Sequence, residues 1–221
     1  KSRQAIEITN QKLNLLSSIT PHDMQNKLTG LSGFIELAQA EKDPAVIQRY
    51  LSHMERITRV FQQELEFTRD YQDRGVQAPA WQGVAALIRE EESHLPTQNS
   101  RVEIAIQPET LEIYADPLLG KVFYNLIDNA LRHGDHVTRI EFSRKETADG
   151  LLIICEDDGV GVPPQDKTKI FGKGFGRDSG LGLFLIREIL SITKISIQET
   201  GDYGKGARFE MLIPKGDYRA V

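Results

Sequence analysis

The strongest constraint on this chain is a long run of apolar residues at three- and four-residue steps. From about residue 4 to residue 40, Ile6, Leu13, Leu16, Ile19, Leu28, Leu31, Ile35 and Ala38 recur mostly at that spacing with polar residues between them. Such spacing places them on one stripe of an amphipathic helix. Glu41-Lys42-Asp43-Pro44 reads as a turn whose Pro suits the first position of a new helix. Tyr50, Met54, Ile57, Phe61, Leu65 and Thr68 then repeat the pattern, so a second long helix folds back on the first. Two helices bury too little apolar surface on their own, whereas two copies of the hairpin make a four-helix bundle around a continuous core. A homodimer through residues 1–73 is therefore predicted. Residues 74–80 hold the Gly75 and Pro79 punctuation of a linker, and residues 81–221 are left for a second domain.

That second part changes pattern. Residues near 82–95 read as helix, 101–106 and 112–115 as short strands, and 117–133 as a helix entered from Asp116. Residues 137–145 and 151–156 read as a hairpin of central strands, 181–192 as helix, and 194–199 with 207–213 as a last strand pair. The whole chain is thus expected to be α+β: a helical hairpin followed by an α/β sandwich with helices on one face of a largely antiparallel sheet.

Composition limits the function classes. At 39% hydrophobic and 27% charged this is a soluble globular type, and no apolar run is long enough for a membrane span. A formal charge of −5 supplies no basic field for nucleic acid. The single cysteine, Cys155, sits in the apolar run Leu151-Leu152-Ile153-Ile154-Cys155 and reads as a buried strand residue; a reducing, cytoplasmic setting fits. The chain starts Lys-Ser-Arg, already in helical register, so a sensor region is expected ahead of it.

Three strings carry the chemistry of the second domain. Asn125 and Asn129 stand four apart on a predicted helix, so both amides share one face. Amide oxygens suit Mg²⁺, which keeps waters and takes phosphate oxygens as further partners. Arg132, one turn on, is placed to pair with phosphate. Asp157 ends an apolar strand and precedes Gly159 and Gly161, whose missing side chains allow close backbone approach; its carboxylate can accept from an adenine amino group. Ser179-Gly180-Leu181-Gly182-Leu183 opens a helix whose unpaired amides favour phosphate. No Walker lysine motif is present, and the order of Asp157 and its glycines does not suit a dinucleotide fold.

With these strings in this order, and Gly204-Lys205-Gly206-Ala207-Arg208-Phe209 as a last glycine box, residues 81–214 resemble the Bergerat-type, or GHKL-type, ATP-binding domain. Sensor histidine kinases, type II topoisomerase ATPase subunits, Hsp90 chaperones and MutL proteins share that domain. The resemblance implies that ATP and Mg²⁺ are the cofactors. It implies Asn125 and Asn129 on the metal, Arg132 on a phosphate and Asp157 on adenine, with His133 either beside the nucleotide or simply a polar helix end. The hydrolytic members carry Glu where this chain has Asn125, so water attack should be slow. Residues 164–179 resemble a short ATP lid, in which Lys173 or Arg177 would reach the γ-phosphate. Phe171 and Phe175 would anchor the closed lid, dock on the bundle or merely cover the sheet.

Pro21-His22-Asp23-Met24-Gln25-Asn26-Lys27-Leu28 resembles the phosphoacceptor box of sensor histidine kinases. A neutral imidazole can attack the γ-phosphorus of ATP when its other nitrogen holds the proton, and Asp23 is placed to fix that tautomer. Asn26, one turn along, would orient water against a partner's phosphoaspartate. Kinases with such a box usually carry Pro where this chain has Lys27, and the last glycine box commonly has Thr where it has Ala207. The implied activity is autophosphorylation of His22, then transfer to an aspartate of a response-regulator receiver domain, with phosphatase activity in addition. Two other readings stay open: a dimeric scaffold that binds ATP without turnover, and an ATP-driven clamp.

Overall fold

The computed structural model describes residues 6, 8–13, 21–75, 77–95, 102–107, 109–175 and 181–220, with the backbone alone given for residues 21–23 and 74–75. Two antiparallel helices, α1 (Pro21–Ala40) and α2 (Pro44–Asp70), form the hairpin, and residues 8–13 ahead of it are helical. The turn is built as its residues predict. Pro44 opens α2, and the Ala45 N–H donates to the Asp43 carboxylate at 2.9 Å, satisfying one of the helix's orphan donors. Phe34 packs across the hairpin against Tyr50 and stacks on His53 with ring centroids 5.1 Å apart, so His53 supports the hairpin. The Lys27 ammonium reaches across to Glu64 at 2.8 Å.

After α2 a single π-helical turn spans Tyr71–Gly75, and β1 (Ala80–Gly83) follows. The remaining elements are α3 (Val84–Ser93), β2 (Glu103–Ile106), β3 (Leu111–Ala115), α4 (Leu119–His133), β4 (Arg139–Glu146), β5 (Gly150–Asp157), α5 (Gly182–Ser191), β6 (Ser196–Glu199), β7 (Arg208–Pro214) and β8 (Tyr218–Ala220). They form a five-stranded sheet in the order β2-β4-β5-β7-β6 and a three-stranded sheet in the order β1-β3-β8. Only the β2–β4 pair is parallel among the described strands.

Burial alternates along β3 and β7, as strands with one core face require, while β5 is buried along most of its length at the centre of its sheet. Phe123 of α4 meets Phe142 of β4 edge-on at 5.8 Å, and Ile153, Ile186 and Ile213 close the core between sheet and helices. Phe67 and Tyr71 belong to that same core, so the end of α2 is packed onto the α/β part. Beyond residue 40 the sequence pattern predicts the main strands and helices to within a few residues and misses β1 and β8; of the single helix expected over residues 4–40, residues 8–13 and 21–40 are helical and residues 14–20 lie outside the described residues. Both are short, and each is defined by pairing with β3 more than by an alternation of its own.

Candidate functional site

A cavity of about 260 Å³ opens between the C-terminal half of α4, the end of β5, the segment after it, the start of α5 and β7. Eight of the residues that the sequence assigned to nucleotide or metal line it: Asn125, Asn129, Arg132, His133, Asp157, Gly161, Gly182 and Leu183. Residues more than fifty positions apart are thus brought onto one wall by the packing of α4 and α5 on the sheet.

Asp157 is the most constrained of them. The N–H groups of Gly159 and Ala207 both donate to its Oδ1, at 2.9 and 3.1 Å, which leaves Oδ2 for a ligand. Burial raises its pKa above the ordinary aspartate value, and the two backbone donors oppose that shift only in part. Its neighbour Asp158 is spent on structure, accepting from the Thr138 hydroxyl and from the N–H groups of Thr138 and Arg139.

The glycines act mainly by letting backbones meet. A Cβ at Gly159 would lie 2.4 Å from the Gly134 carbonyl oxygen, and one at Gly206 would lie 1.8 Å from that of Asp157. Gly159 therefore seats the β5 end against the α4 end and does not line the cavity. Gly182 lets α5 approach α4, since its Cβ would stand 3.0 Å from Asn125 Oδ1.

The metal-binding expectation can be tested on the donors present. Asn125 Nδ2 donates to the Lys121 carbonyl at 2.7 Å, which leaves its Oδ1 as the ligating atom. Asn129 Nδ2 is buried without a hydrogen-bond partner, an arrangement that normally marks an absent ligand or water. Among the described residues no group of three His, Cys, Asp or Glu is placed to hold an ion. A divalent ion here would therefore take amide oxygens, water and phosphate, which suits Mg²⁺; the site fits the ion.

Arg132 is paired with Asp128 at 2.7 Å on the cavity rim. Along the lid segment, Phe171 is buried and edge-on to Phe209 at 6.3 Å, Phe175 lines the cavity and Lys173 is exposed. Lys167 bonds Glu199 at 2.7 Å and pins the base of the segment. Leu181 is buried beside the cavity. Arg177, Ser179 and Gly180 lie outside the described residues, as do the side chains of His22 and Asp23, whose backbone is in the first turn of α1. Asn26 is exposed on α1.

The wall also holds Ala207 and Phe209 of the last glycine box, and residues that the sequence did not single out for it: Gln63, Asp128, Val162, Pro163, Asp166 and Ile170. Asp128 was findable, lying between the two asparagines and one turn from Arg132. Gln63 was not, because it comes from the hairpin.

Residues 115–217 match the family described as histidine kinase-, DNA gyrase B-, and HSP90-like ATPase. The chain is 28% identical over 212 residues to the alginate biosynthesis sensor protein KinB of Pseudomonas aeruginosa, covering 87% of this chain and 35% of that protein. It is 27% identical over 208 residues to the signal transduction histidine-protein kinase AtoS of Escherichia coli, covering 87% and 33%. The chain thus spans about a third of these relatives. Among solved structures, the histidine kinase ThkA in complex with response regulator protein TrrA superposes with a TM-score of 0.60 at 19% identity, covering 98% of this chain and 68% of that one. At that identity the likeness is one of fold. Residues 115–217 thus match that ATPase family, and with the helical hairpin ahead of them the chain is similar, along nearly nine-tenths of its length, to sensor histidine kinases.

Proposed function

We propose that this chain binds ATP with Mg²⁺ in the α4–β5–α5 cavity, phosphorylates His22 and passes the phosphoryl group to an aspartate of a response-regulator receiver domain. The observation that carries the reading is the convergence of Asn125, Asn129, Gly182 and the backbone-clamped Asp157 on one cavity. Asp157 would accept from the adenine amine. Asn125 and Asn129 would hold the ion, which neutralises phosphate charge when bound. Arg132, Lys173 and Arg177 would meet the phosphates, and the stretch Ser179-Gly180-Leu181-Gly182 at the entry to α5 would offer backbone N–H groups to them.

The transfer is an in-line displacement. An imidazole nitrogen of His22 forms the N–P bond, the bond from the γ-phosphorus to the β,γ-bridging oxygen breaks, and ADP leaves with that electron pair. The second ring nitrogen keeps its proton through the step, with Asp23 stabilising the cation that develops. A carboxylate oxygen of the receiver then takes the phosphoryl group and restores the neutral imidazole. Asn26 would position water for the reverse signal, hydrolysis of the phosphoaspartate. The support for a partner of this kind is indirect: ThkA, whose fold this chain shares, was solved with a response regulator protein.

The same proposal includes a homodimer through residues 1–73, a linker at 74–80 and an ATP-binding domain at 81–221, working in the cytoplasm behind a sensor region. No described helix is long and apolar enough to cross a membrane. Incubation with γ-labelled ATP and Mg²⁺ tests the reading. The expected product is labelled protein whose label is lost in acid, survives base and is absent from His22→Gln. Steady ATP hydrolysis without labelled protein would instead support a clamp, and nucleotide binding without either would support a scaffold.

A further inference from the structure

The hairpin reaches into the nucleotide cavity. Gln63 of α2 lines the same wall as Asn125 and Asn129. Its Oε1 is buried with no hydrogen-bond partner, as is Asn129 Nδ2. Two unsatisfied amide atoms in one cavity are unusual, because buried polar atoms are nearly always paired. Neither atom would have to give up a protein bond to accept a ligand.

The position of Gln63 says which part of a ligand it would meet. A second cavity of about 230 Å³ continues from the first between α2, α4 and the start of α5. The two share Gln63, Asn125, Asp128, Arg132 and Gly182, whereas Asp157, Ala207 and Phe209 line only the first. Among the shared residues Asn125, Arg132 and Gly182 are assigned to metal or phosphate, whereas Ala207 and Phe209 lie on the side of the adenine acceptor Asp157. Gln63 therefore stands at the phosphate end. The next residue, Glu64, faces the other helix and holds Lys27 at 2.8 Å, one position beyond Asn26.

Resting on the nucleotide reading above, we propose that Gln63 is a nucleotide-binding residue supplied by the hairpin, its side-chain amide hydrogen-bonding the phosphate end of bound ATP. The two ends of a carboxamide are exchanged by a half-turn, so the group that now buries an unpaired oxygen can present its N–H₂ to a phosphate oxygen. Binding of the triphosphate then ties α2 to α4 through one side chain, and Glu64 with Lys27 carries the same stretch of α2 to the helix that bears His22. A residue that merely filled the interface would do as well with an apolar side chain of the same length.

The test measures affinities of the full chain for Mg²⁺-AMPPNP, Mg²⁺-ADP and AMP by calorimetry in wild type, Gln63→Met and Gln63→Glu. Met keeps the length and helix propensity of Gln and removes only the amide. Gln63→Met is expected to bind Mg²⁺-AMPPNP about five- to tenfold more weakly, the size of one lost hydrogen bond, with AMP affinity unchanged. Gln63→Glu, of the same shape but acceptor-only, is expected to lose more for the triphosphate and still nothing for AMP. Unchanged AMPPNP affinity in Gln63→Met, or equal losses for AMP and AMPPNP, would overturn the assignment and leave the nucleotide reading intact. Failure of the wild type to bind any of the three would overturn both.

Discussion

The two halves of the chain use apolar residues in opposite ways. In the α/β part, Phe123, Phe142, Ile140, Ile153 and Ile186 are fully buried, and the core closes on itself. In the hairpin, Leu28, Ile35, Leu37, Leu51 and Leu65 remain about half exposed. Seven of the ten large apolar side chains that stay exposed among the described residues lie before residue 66, so the exposure belongs to the hairpin and not to the surface in general. Apolar side chains scattered singly need no explanation, whereas a set confined to one helical unit marks a surface awaiting a partner. The lesson is that one half closes its own core while the other leaves apolar side chains open, which the homodimer proposed above would cover.

The most severe way to test that contrast is to damage both sides of it. Phe142→Ala removes a ring that meets Phe123 edge-on in a closed core and should cost about 3–5 kcal/mol of unfolding free energy, whatever the protein concentration. The triple change Leu28→Ser, Ile35→Ser, Leu51→Ser should leave denaturant unfolding of the α/β part within about 0.5 kcal/mol of wild type. In sedimentation it should shift the chain from the proposed dimer to monomer. A triple variant that stays dimeric would show that these side chains are not the seam.

A smaller effect is expected inside the hairpin, where Lys27 stands in place of the usual Pro. The structure gives that lysine a role. Glu64 is 1% exposed, its Oε1 takes the Lys27 ammonium at 2.8 Å, and its Oε2 is buried without a hydrogen bond. Lys27→Met strands a buried carboxylate and should lower hairpin stability by about 3 kcal/mol. Adding Glu64→Leu should recover most of the loss, because replacing both members of a buried pair is often neutral. If the double variant is no better than the single one, Lys27 contributes through something other than its charge.

How far the sequence could be read follows the same division. Asn125 with Asn129, and Asp157 with its glycines, are local strings whose geometry is set by one helix and one strand end, so they were legible. The burial of Cys155 in β5 was legible for the same reason. Contacts between distant segments leave no periodic trace. Gln63 reaches the cavity only because α2 packs on α4. Phe171 faces Phe209, and the paired backbones of Gly159 with Gly134 and Gly206 with Asp157 depend on strand register. The ion pair between Lys12 and Asp116 at 2.8 Å, which also brings the Lys12 ammonium to the Gln77 carbonyl at 2.5 Å, joins three segments that look independent in the sequence. It fastens the N-terminal helical region to the nucleotide helix, since Asp116 also accepts from the Leu118 N–H at the entry to α4, and the ion pair of Asp70 on α2 with Lys121 on α4 at 3.0 Å does the same.

The mildest expected effect sharpens the comparison from the side of the finished domain. Burial holds the Asp157 pKa above the ordinary aspartate value despite donors from Ala207 and Gly159. A carboxyl raised in the folded state takes up its proton more readily there than in the unfolded chain. The free protein therefore gains relative stability from Asp157 as pH falls through its folded pKa and loses that gain as pH rises through it. Nucleotide binding should run the opposite way, because only the ionised carboxylate can accept from both backbone N–H groups and an adenine amine at once. Affinity for ATP should thus begin to fall at a higher pH than an ordinary aspartate near 4 would give. Asp157→Asn puts an N–H₂ donor where Oδ2 stood and so cannot accept from the adenine amine; it should bind more weakly, by about tenfold or more for one charge-assisted hydrogen bond lost, and its affinity should be flat across the same range. Titrating affinity against pH in both proteins decides the matter. A wild type as flat as Asp157→Asn, with binding intact, would move the adenine contact to another residue of the cavity and leave Asp157 as a brace for the β5 end.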